Sequence, residues 1–80
     1  MFLCLEGFSP PDHGDDFVQF ELDVSPKSNQ AVLDVVGWRS LEEGVRDGVV
    51  ELTAEQVRKI EAVLGKPIPN ELEICIGVYA

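Results

Sequence analysis

The segment LTAEQVRKIEAVLGKPIPNELEICIGVYA, residues 52–80, carries the clearest secondary-structure signals in a chain of 80 residues. Its first half predicts an α-helix over residues 54–64, because Thr53 and Gln56 stand at the spacing of a capping box and Gly65 follows the last helical position. Apolar residues recur there every three or four positions, so one face of the helix is expected to be buried. These residues are Val57, Ile60, Val63 and Leu64.

The second half of the same segment alternates apolar and polar residues, which predicts a β-strand over residues 71–79. Two earlier stretches, residues 2–8 and 17–24, are also predicted to be strands. In each of the three, one face is more apolar than the other. Such alternation is typical of an antiparallel sheet that buries one face and exposes the other to water.

Ser25, Pro26 and Gly37 stand at the positions of a helix start and end, and they predict a second helix over residues 26–36. Residues 40–51 leave two interpretations open: a short helix that begins at a capping-box serine, or a hairpin that turns at RDG. The predicted fold is α+β, with an antiparallel sheet of about three strands covered on one face by helices. All 80 residues are expected to form a single domain.

The acidic residues are concentrated at the start of the chain. The net charge at neutral pH is −9, and residues 1–25 contribute −6 because they contain no lysine or arginine. The negative electrostatic field of these charges repels phosphate backbones and anionic lipids, so neither nucleic acid nor a membrane is an expected partner. It would attract a basic protein, unless it serves only to keep a small protein soluble. The six acidic residues of this stretch are Glu6, Asp12, Asp15, Asp16, Glu21 and Asp23.

The segment SPPDHGDD, residues 9–16, contains the only histidine of the chain, His13, among three aspartates. A metal site usually needs three or four converging protein ligands, and a single glycine-containing loop is a poor frame for them. The spacing also lacks the ligand alternation of an EF-hand. The segment is therefore predicted to be a polar hairpin loop, and the chain is expected to use no metal or other cofactor.

No catalytic motif is present in the sequence: there is no nucleophile elbow, phosphate-binding loop or CxxC pair. Cys4 and His13 could in principle form a nucleophile–base pair. Cys4 lies within a predicted strand, however, where a small apolar-tolerant side chain is the simpler interpretation. The chain is therefore predicted not to be an enzyme. The only tryptophan, Trp38, is expected in the core.

Two cysteines, Cys4 and Cys75, fall on the more polar faces of their predicted strands, and the sequence leaves open whether they lie close together. The opening residues MFLCLEGF lack the basic residues and the apolar length of a secretory signal peptide. The protein is therefore expected in the cytoplasm, with both thiols reduced.

The last third of the chain, LTAEQVRKIEAVLGKPIPNELEICIGVYA, resembles small acidic bacterial immunity-type proteins, the cognate inhibitors of polymorphic toxins. The resemblance rests on a capped helix that leads through GKPIPNEL into an apolar final strand, on the short length and on the low isoelectric point. It implies stoichiometric binding and neutralisation of a toxin effector domain. Many such toxins act on nucleic acids through basic surfaces, so carboxylates would take the place of phosphates in the complex.

We therefore predict an acidic binding surface that pairs with lysine and arginine side chains around the active site of a basic partner. It combines the aspartates of the SPPDHGDD loop, the acidic residues near position 45 and the tyrosine near the end of the chain. The competing hypothesis is a small structural or regulatory adaptor that forms a homodimer through an exposed strand edge. The predicted partner-binding residues are Asp12, Asp15, Asp16, Glu42, Glu43, Asp47 and Tyr79.

Overall fold

A computed structural model of the protein describes residues 1–9 and 18–80. The strands within these ranges are β1 (Phe2–Phe8), β2 (Val18–Asp23), β3 (Val50–Glu51) and β4 (Glu73–Tyr79). The α-helices are α1 (Asn29–Val36), α2 (Leu41–Asp47) and α3 (Ala54–Leu64). Along the chain the order is β1, β2, α1, α2, β3, α3, β4.

The four strands form one antiparallel sheet in the order β2-β1-β4-β3. This arrangement confirms the predicted α+β fold. The sheet has four strands rather than about three because two residues after α2 pair with β4: Val50 lies opposite Ile76, and Glu51 lies opposite Cys75. A strand of two residues is too short to show an alternating pattern, so the sequence did not reveal it.

Residues 40–51 form a helix followed by the short strand β3. The hydroxyl of Ser40 accepts a hydrogen bond from the backbone N–H of Glu43 at 3.3 Å, and this bond caps the first turn of α2. Gly48 ends the helix. The hairpin with a turn at RDG does not form, since β3 pairs with β4 rather than with the residues before that turn.

The other predicted elements agree with the structure to within a few residues. α3 occupies the predicted range, and its capping box is complete: Thr53 and Gln56 exchange two side-chain–backbone hydrogen bonds of 3.1 and 2.9 Å. The helix predicted over residues 26–36 begins as a 3-10 turn, Pro26–Ser28, and becomes α-helical at Asn29. β2 ends one residue before its predicted end and β4 begins two residues after its predicted start.

The helices pack on one side of the sheet, which we call the inner face. Leu3 and Leu5 of β1 and Ile76 of β4 are fully buried on this face. They join Val32 of α1 and Ile60 of α3, which are also fully buried, in one apolar cluster. Removal of this apolar surface from water is the main source of stability for the fold.

The helix α2 packs tightly on the inner face through Gly44. A Cβ atom at this position would lie 2.6 Å from Cγ2 of Val78 and 2.9 Å from the ring of Trp38. Trp38 is 5% exposed, which confirms its place in the core. Its indole Nε1 donates a hydrogen bond of 2.8 Å to Oδ2 of Asp47, so this carboxylate ties the ring to the end of α2.

The first prediction concerns Gly44→Ala. Alanine in mid-helix normally gains about 0.5–1 kcal/mol over glycine. Here the added methyl group has no room, and overpacking costs about 1–3 kcal/mol. We expect a net loss of about 1–2 kcal/mol in the free energy of unfolding, measured by urea denaturation with the fluorescence of the single tryptophan. The loss should be smaller in a Val78→Ala background, and a stabilised Gly44→Ala protein would contradict the close packing.

The second prediction concerns Asp47. Replacement by alanine removes the acceptor of a buried indole N–H, and we expect a loss of about 1–2 kcal/mol in the free energy of unfolding. Asp47→Asn keeps an acceptor oxygen and removes a negative charge that the helix dipole disfavours at this end of α2. It should therefore cost less than half as much. Equal losses in the two variants would show that the hydrogen bond contributes little.

Candidate functional site

The sheet has a second face, opposite the helices, which we call the outer face. In the described residues the buried side chains of the helices all belong to the inner cluster, so none of these helices covers the outer face. Residues directly opposite each other in an antiparallel pair lie on the same side of the sheet, and the register therefore assigns the members of this face. They are Phe2, Cys4, Glu6 and Phe8 of β1, Val18, Glu21 and Asp23 of β2, Glu51 of β3, and Glu73, Cys75, Gly77 and Tyr79 of β4.

The charges of the protein are divided between the two sides of the sheet. Every carboxylate on the four strands lies on the outer face, and these strands carry no lysine or arginine. The six basic residues all lie between positions 27 and 66, on the helices and their connections. The charged side chains that the strands contribute to the outer face are therefore all negative, whereas the helical layer is mixed. The five carboxylates are Glu6, Glu21, Asp23, Glu51 and Glu73.

Tyr79 reaches across the outer face from β4 to β1. Its hydroxyl donates a short hydrogen bond to Oε1 of Glu6. The ring passes over Gly77, where an added Cβ would lie 3.3 Å from Cε2 and from the hydroxyl of Tyr79. The ring of Phe2, directly opposite on β1, has its centre 6.1 Å from that of Tyr79. Two aromatic rings and a fixed carboxylate thus stand together at one end of the face.

The hydrogen bond to Glu6 raises the pKa of Tyr79 to about 12, with smaller contributions from burial and from the negative charge of Glu6. The bond is made by the protonated phenol, which donates, so loss of the proton breaks it and places two negative charges together. The phenol group therefore stays neutral throughout the physiological pH range.

The thiols of the outer face are poor nucleophiles. Cys4 is only 4% exposed, and burial, a hydrogen bond to the Asp23 side chain and the charges of Asp23, Glu21 and Glu6 raise its pKa to about 11. Burial and nearby carboxylates, with Glu51 the first of them, also raise the pKa of Cys75. Because the thiolate is the reactive form, both groups are inert at neutral pH.

Cys4 and Cys75 lie on the same face of the sheet, on the adjacent strands β1 and β4, but they are not directly opposite each other. Cys4 stands opposite Gly77, and Cys75 stands opposite Glu6. Diagonal neighbours in a sheet have α-carbons about 7–8 Å apart, whereas a disulfide usually needs about 4.4–6.8 Å. Both cysteines are accordingly free.

One group of side chains on the outer face could hold a metal ion. The sulfur of Cys4 and carboxylate oxygens of Glu21 and Asp23 all lie within 4.8 Å of one another. A thiolate with two carboxylates is a donor set that Zn²⁺ accepts. Exposed acidic groups often converge in this way without binding a metal, and the thiol is held protonated, so we treat the three residues as part of the acidic face.

The sequence-predicted binding residues fall in three places. The aspartates Asp12, Asp15 and Asp16 lie outside the described residues, as does His13. Tyr79 lies on the outer face. The three acidic residues of α2 lie on the other side of the sheet, where the helix packs against Val78. They are Glu42, Glu43 and Asp47.

Two of the acidic residues of α2 make hydrogen bonds within the protein. Asp47 accepts from the indole of Trp38 at 2.8 Å, and Oε2 of Glu43 accepts from the backbone N–H of Arg39 at 3.3 Å. Glu42 is exposed. The structure therefore does not bring the α2 carboxylates together with Tyr79, and it gives two of them a local structural role.

The strand carboxylates were not among the predicted binding residues. The alternating patterns do place Glu6, Glu21, Asp23 and Glu73 on the polar sides of their strands. What the sequence pattern lacks is the pairing of those strands, which turns separate polar sides into one continuous face. Glu51 was missed because it belongs to the two-residue strand β3.

Comparison of the chain with models of protein families, with curated proteins and with solved structures finds no match in any of the three. Among the described residues the longest helix, α3, has 11 residues. A membrane span needs about 20 apolar residues, so none of these helices could cross a bilayer.

The third prediction concerns the titration of Tyr79, the only tyrosine of the chain. Its absorbance at alkaline pH should rise with a midpoint near pH 12 and not at 10.0, the ordinary pKa of a tyrosine. Because the pKa is raised in the folded state, the bond contributes its full stability below pH 10 and loses it as the pH rises towards 12. Glu6→Gln should move the midpoint down towards the ordinary value.

Circular dichroism at each pH would confirm that the protein is still folded where the absorbance is read. A midpoint that is the same in the Glu6→Gln variant would show that the hydrogen bond is not the cause of the shift.

Proposed function

We propose that the protein is a non-enzymatic, cytoplasmic binding protein that docks a basic protein partner on the outer face of its sheet. The observation that carries the proposal is the charge of this face: five carboxylates from four strands, with no basic residue on any of those strands. The resemblance to immunity-type proteins supplies the partner class. We propose a bacterial toxin domain whose basic active-site surface is covered and neutralised in the complex.

Electrostatics favours such a complex in two ways. A face of one sign raises the local concentration of an oppositely charged partner and speeds association, most strongly at low salt. Carboxylates fixed on a sheet also present a row of negative charges to a surface that normally binds phosphates. Both effects need a rigid array, and a central strand pair with helices packed behind it supplies one.

The outer face also offers the apolar contact that a stable interface needs. Charged rims contribute mainly to rate and specificity, while most binding energy comes from a few large side chains, tyrosine prominent among them. Tyr79 and Phe2 supply two aromatic rings at one end of the acidic array. They would be the anchors, and the carboxylates around them would select a basic partner.

The chemistry of the face supports a binding role over catalysis. Its two thiols are held protonated by burial and by neighbouring carboxylates, so neither is an activated nucleophile at neutral pH. The single histidine of the chain, His13, lies outside the described residues.

The alternative function is a homodimerising adaptor. In the described residues β2 is an edge strand, so two copies could pair there. Glu21 and Asp23 lie on that strand, and pairing would bring the carboxylates of two copies, each with a net charge of −9, close together. Like charges on paired strands destabilise the pairing. A stable dimer in sedimentation at low salt would favour this alternative over the proposed one.

The partner can be identified by affinity capture. The tagged protein would be incubated with lysate of its native cell at low salt, and retained proteins would be identified by mass spectrometry. The proposal requires one basic protein at stoichiometric level that is toxic when expressed alone and harmless when co-expressed with this chain. A captured protein whose activity is unchanged by saturating amounts of this chain would overturn the inhibitory role.

The fourth prediction compares equal changes of charge at three places. Glu21→Gln with Glu73→Gln removes two charges from the outer face, and Glu42→Gln with Glu55→Gln removes two from the helical layer. We expect the outer-face pair to weaken partner affinity about tenfold or more, and the helical pair to change it less than threefold. Affinity would be measured by calorimetry at several salt concentrations.

A third pair, Asp15→Asn with Asp16→Asn, tests the aspartates that the sequence analysis selected. All three pairs change the net charge equally, so a general effect of charge would weaken binding equally in all of them. That result would contradict a localised docking face.

A further inference from the structure

A small cavity opens on the outer face between its aromatic and its acidic side chains. It has a volume of about 250 Å³ and is lined by Phe2, Cys4, Glu6, Glu21 and Tyr79. Two rings of this lining stand 6.1 Å apart at their centres. The two carboxylates of the lining, Glu6 and Glu21, stand directly opposite each other on β1 and β2.

We infer that this cavity receives one arginine side chain of the basic partner. The inference rests on the proposed function and adds the chemistry of the central contact. The two carboxylates favour a cation, because the described lining of the cavity contains no basic residue. The rings offer the kind of surface on which a guanidinium group stacks. An arginine side chain is also a suitable size for a depression of this volume.

Arginine fits the lining better than lysine does. Its guanidinium group is planar and weakly hydrated, stacks on aromatic rings, and can donate to two carboxylate oxygens at once. Tyr79 donates to Oε1 of Glu6 only, which leaves Oε2 as an acceptor. The same bond fixes the position of Glu6 before the partner arrives. A lysine ammonium group could use the charge but not the stacking surface.

Two larger depressions of the described surface already contain basic side chains. One of about 400 Å³ beside α3 contains Arg58, which already donates to the carbonyl of Ile68 at 3.1 Å. Another, of about 330 Å³, is lined by Lys27 and Lys66. These basic side chains would repel an incoming arginine. The outer-face cavity differs from these two in that its described lining combines two carboxylates with two aromatic rings.

The test uses two probes of equal charge, a peptide of six arginines and a peptide of six lysines, each with a fluorescent label for anisotropy. Docking on an acidic face predicts that both bind, with affinities that fall as salt rises. The arginine cavity predicts in addition that the arginine peptide binds about two- to fivefold more tightly, the gain expected for a cation–π contact at an exposed site.

Matched variants test whether the preference for the arginine peptide arises at this cavity. Phe2→Leu removes a ring without changing charge, and it should abolish the preference while leaving lysine-peptide binding intact. Glu21→Gln and Glu73→Gln each remove one outer-face charge, but only Glu21 lines the cavity. Glu21→Gln should therefore reduce the preference, whereas Glu73→Gln should weaken both peptides by the same factor. Circular dichroism would confirm that each variant is folded.

The outcomes separate the two proposals. Equal binding of both peptides by the wild-type protein, with strong salt dependence, would overturn the arginine cavity and leave the acidic docking face standing. An arginine preference that Phe2→Leu or Glu21→Gln does not change would also overturn the cavity. Failure of both peptides to bind at low salt would refute the cavity and the docking face together.

Discussion

Seven consecutive residue pairs join β1 to β4, from Phe2 opposite Tyr79 to Phe8 opposite Glu73. This register brings together the two ends of the described chain and also decides which side chains are buried. Leu3, Leu5 and Ile76 lie on the inner face because of it, and Glu6 and Tyr79 lie on the outer face. A slip of one residue would exchange the two sets, placing carboxylates in the core and leucines in water. The core and the acidic face therefore depend on the same pairing.

The register between β1 and β2 has an energetic cost at the outer face. It sets Glu6 directly opposite Glu21, and like charges in that position destabilise a sheet. The hydroxyl of Tyr79 partly offsets this cost by donating to Glu6. No basic residue on the strands does so, although the chain has six of them elsewhere. A basic partner would relieve this repulsion on binding, because its cations would neutralise part of the negative charge of the two carboxylates.

The parts of the fold that could be predicted from the sequence are those that short local sequence patterns determine. The capping box at Thr53 and Gln56 and the alternation of β4 are each contained within about ten residues, and both predictions are confirmed. The site could be predicted only in fragments, because it is formed by strands far apart in sequence. Glu6 and Tyr79 are separated by 73 positions and meet only through the sheet.

Acidity alone was a poor guide to which carboxylates belong to the site. Glu43 and Asp47 are near other acidic residues in sequence, which favoured their choice as contact residues. In the structure they satisfy a backbone N–H and an indole N–H of the protein itself. A carboxylate in a short helix next to a buried tryptophan has a local structural use that composition does not reveal. The described strand carboxylates have fewer such partners and remain exposed, with Glu6 the half-buried exception.

The negative charge of the molecule is distributed unevenly over its surface. In α3, Glu55 and Glu61 are paired with Lys59 and Arg58, so their charges are largely cancelled close to the surface. The outer face has no such pairs among the described residues, and its field extends further into solvent. A basic protein approaching this molecule would thus be turned towards the sheet before contact, within about a Debye length of 8 Å at physiological salt. The separation of charge by the sheet therefore favours both the affinity of the outer face and the orientation in which a partner first meets it.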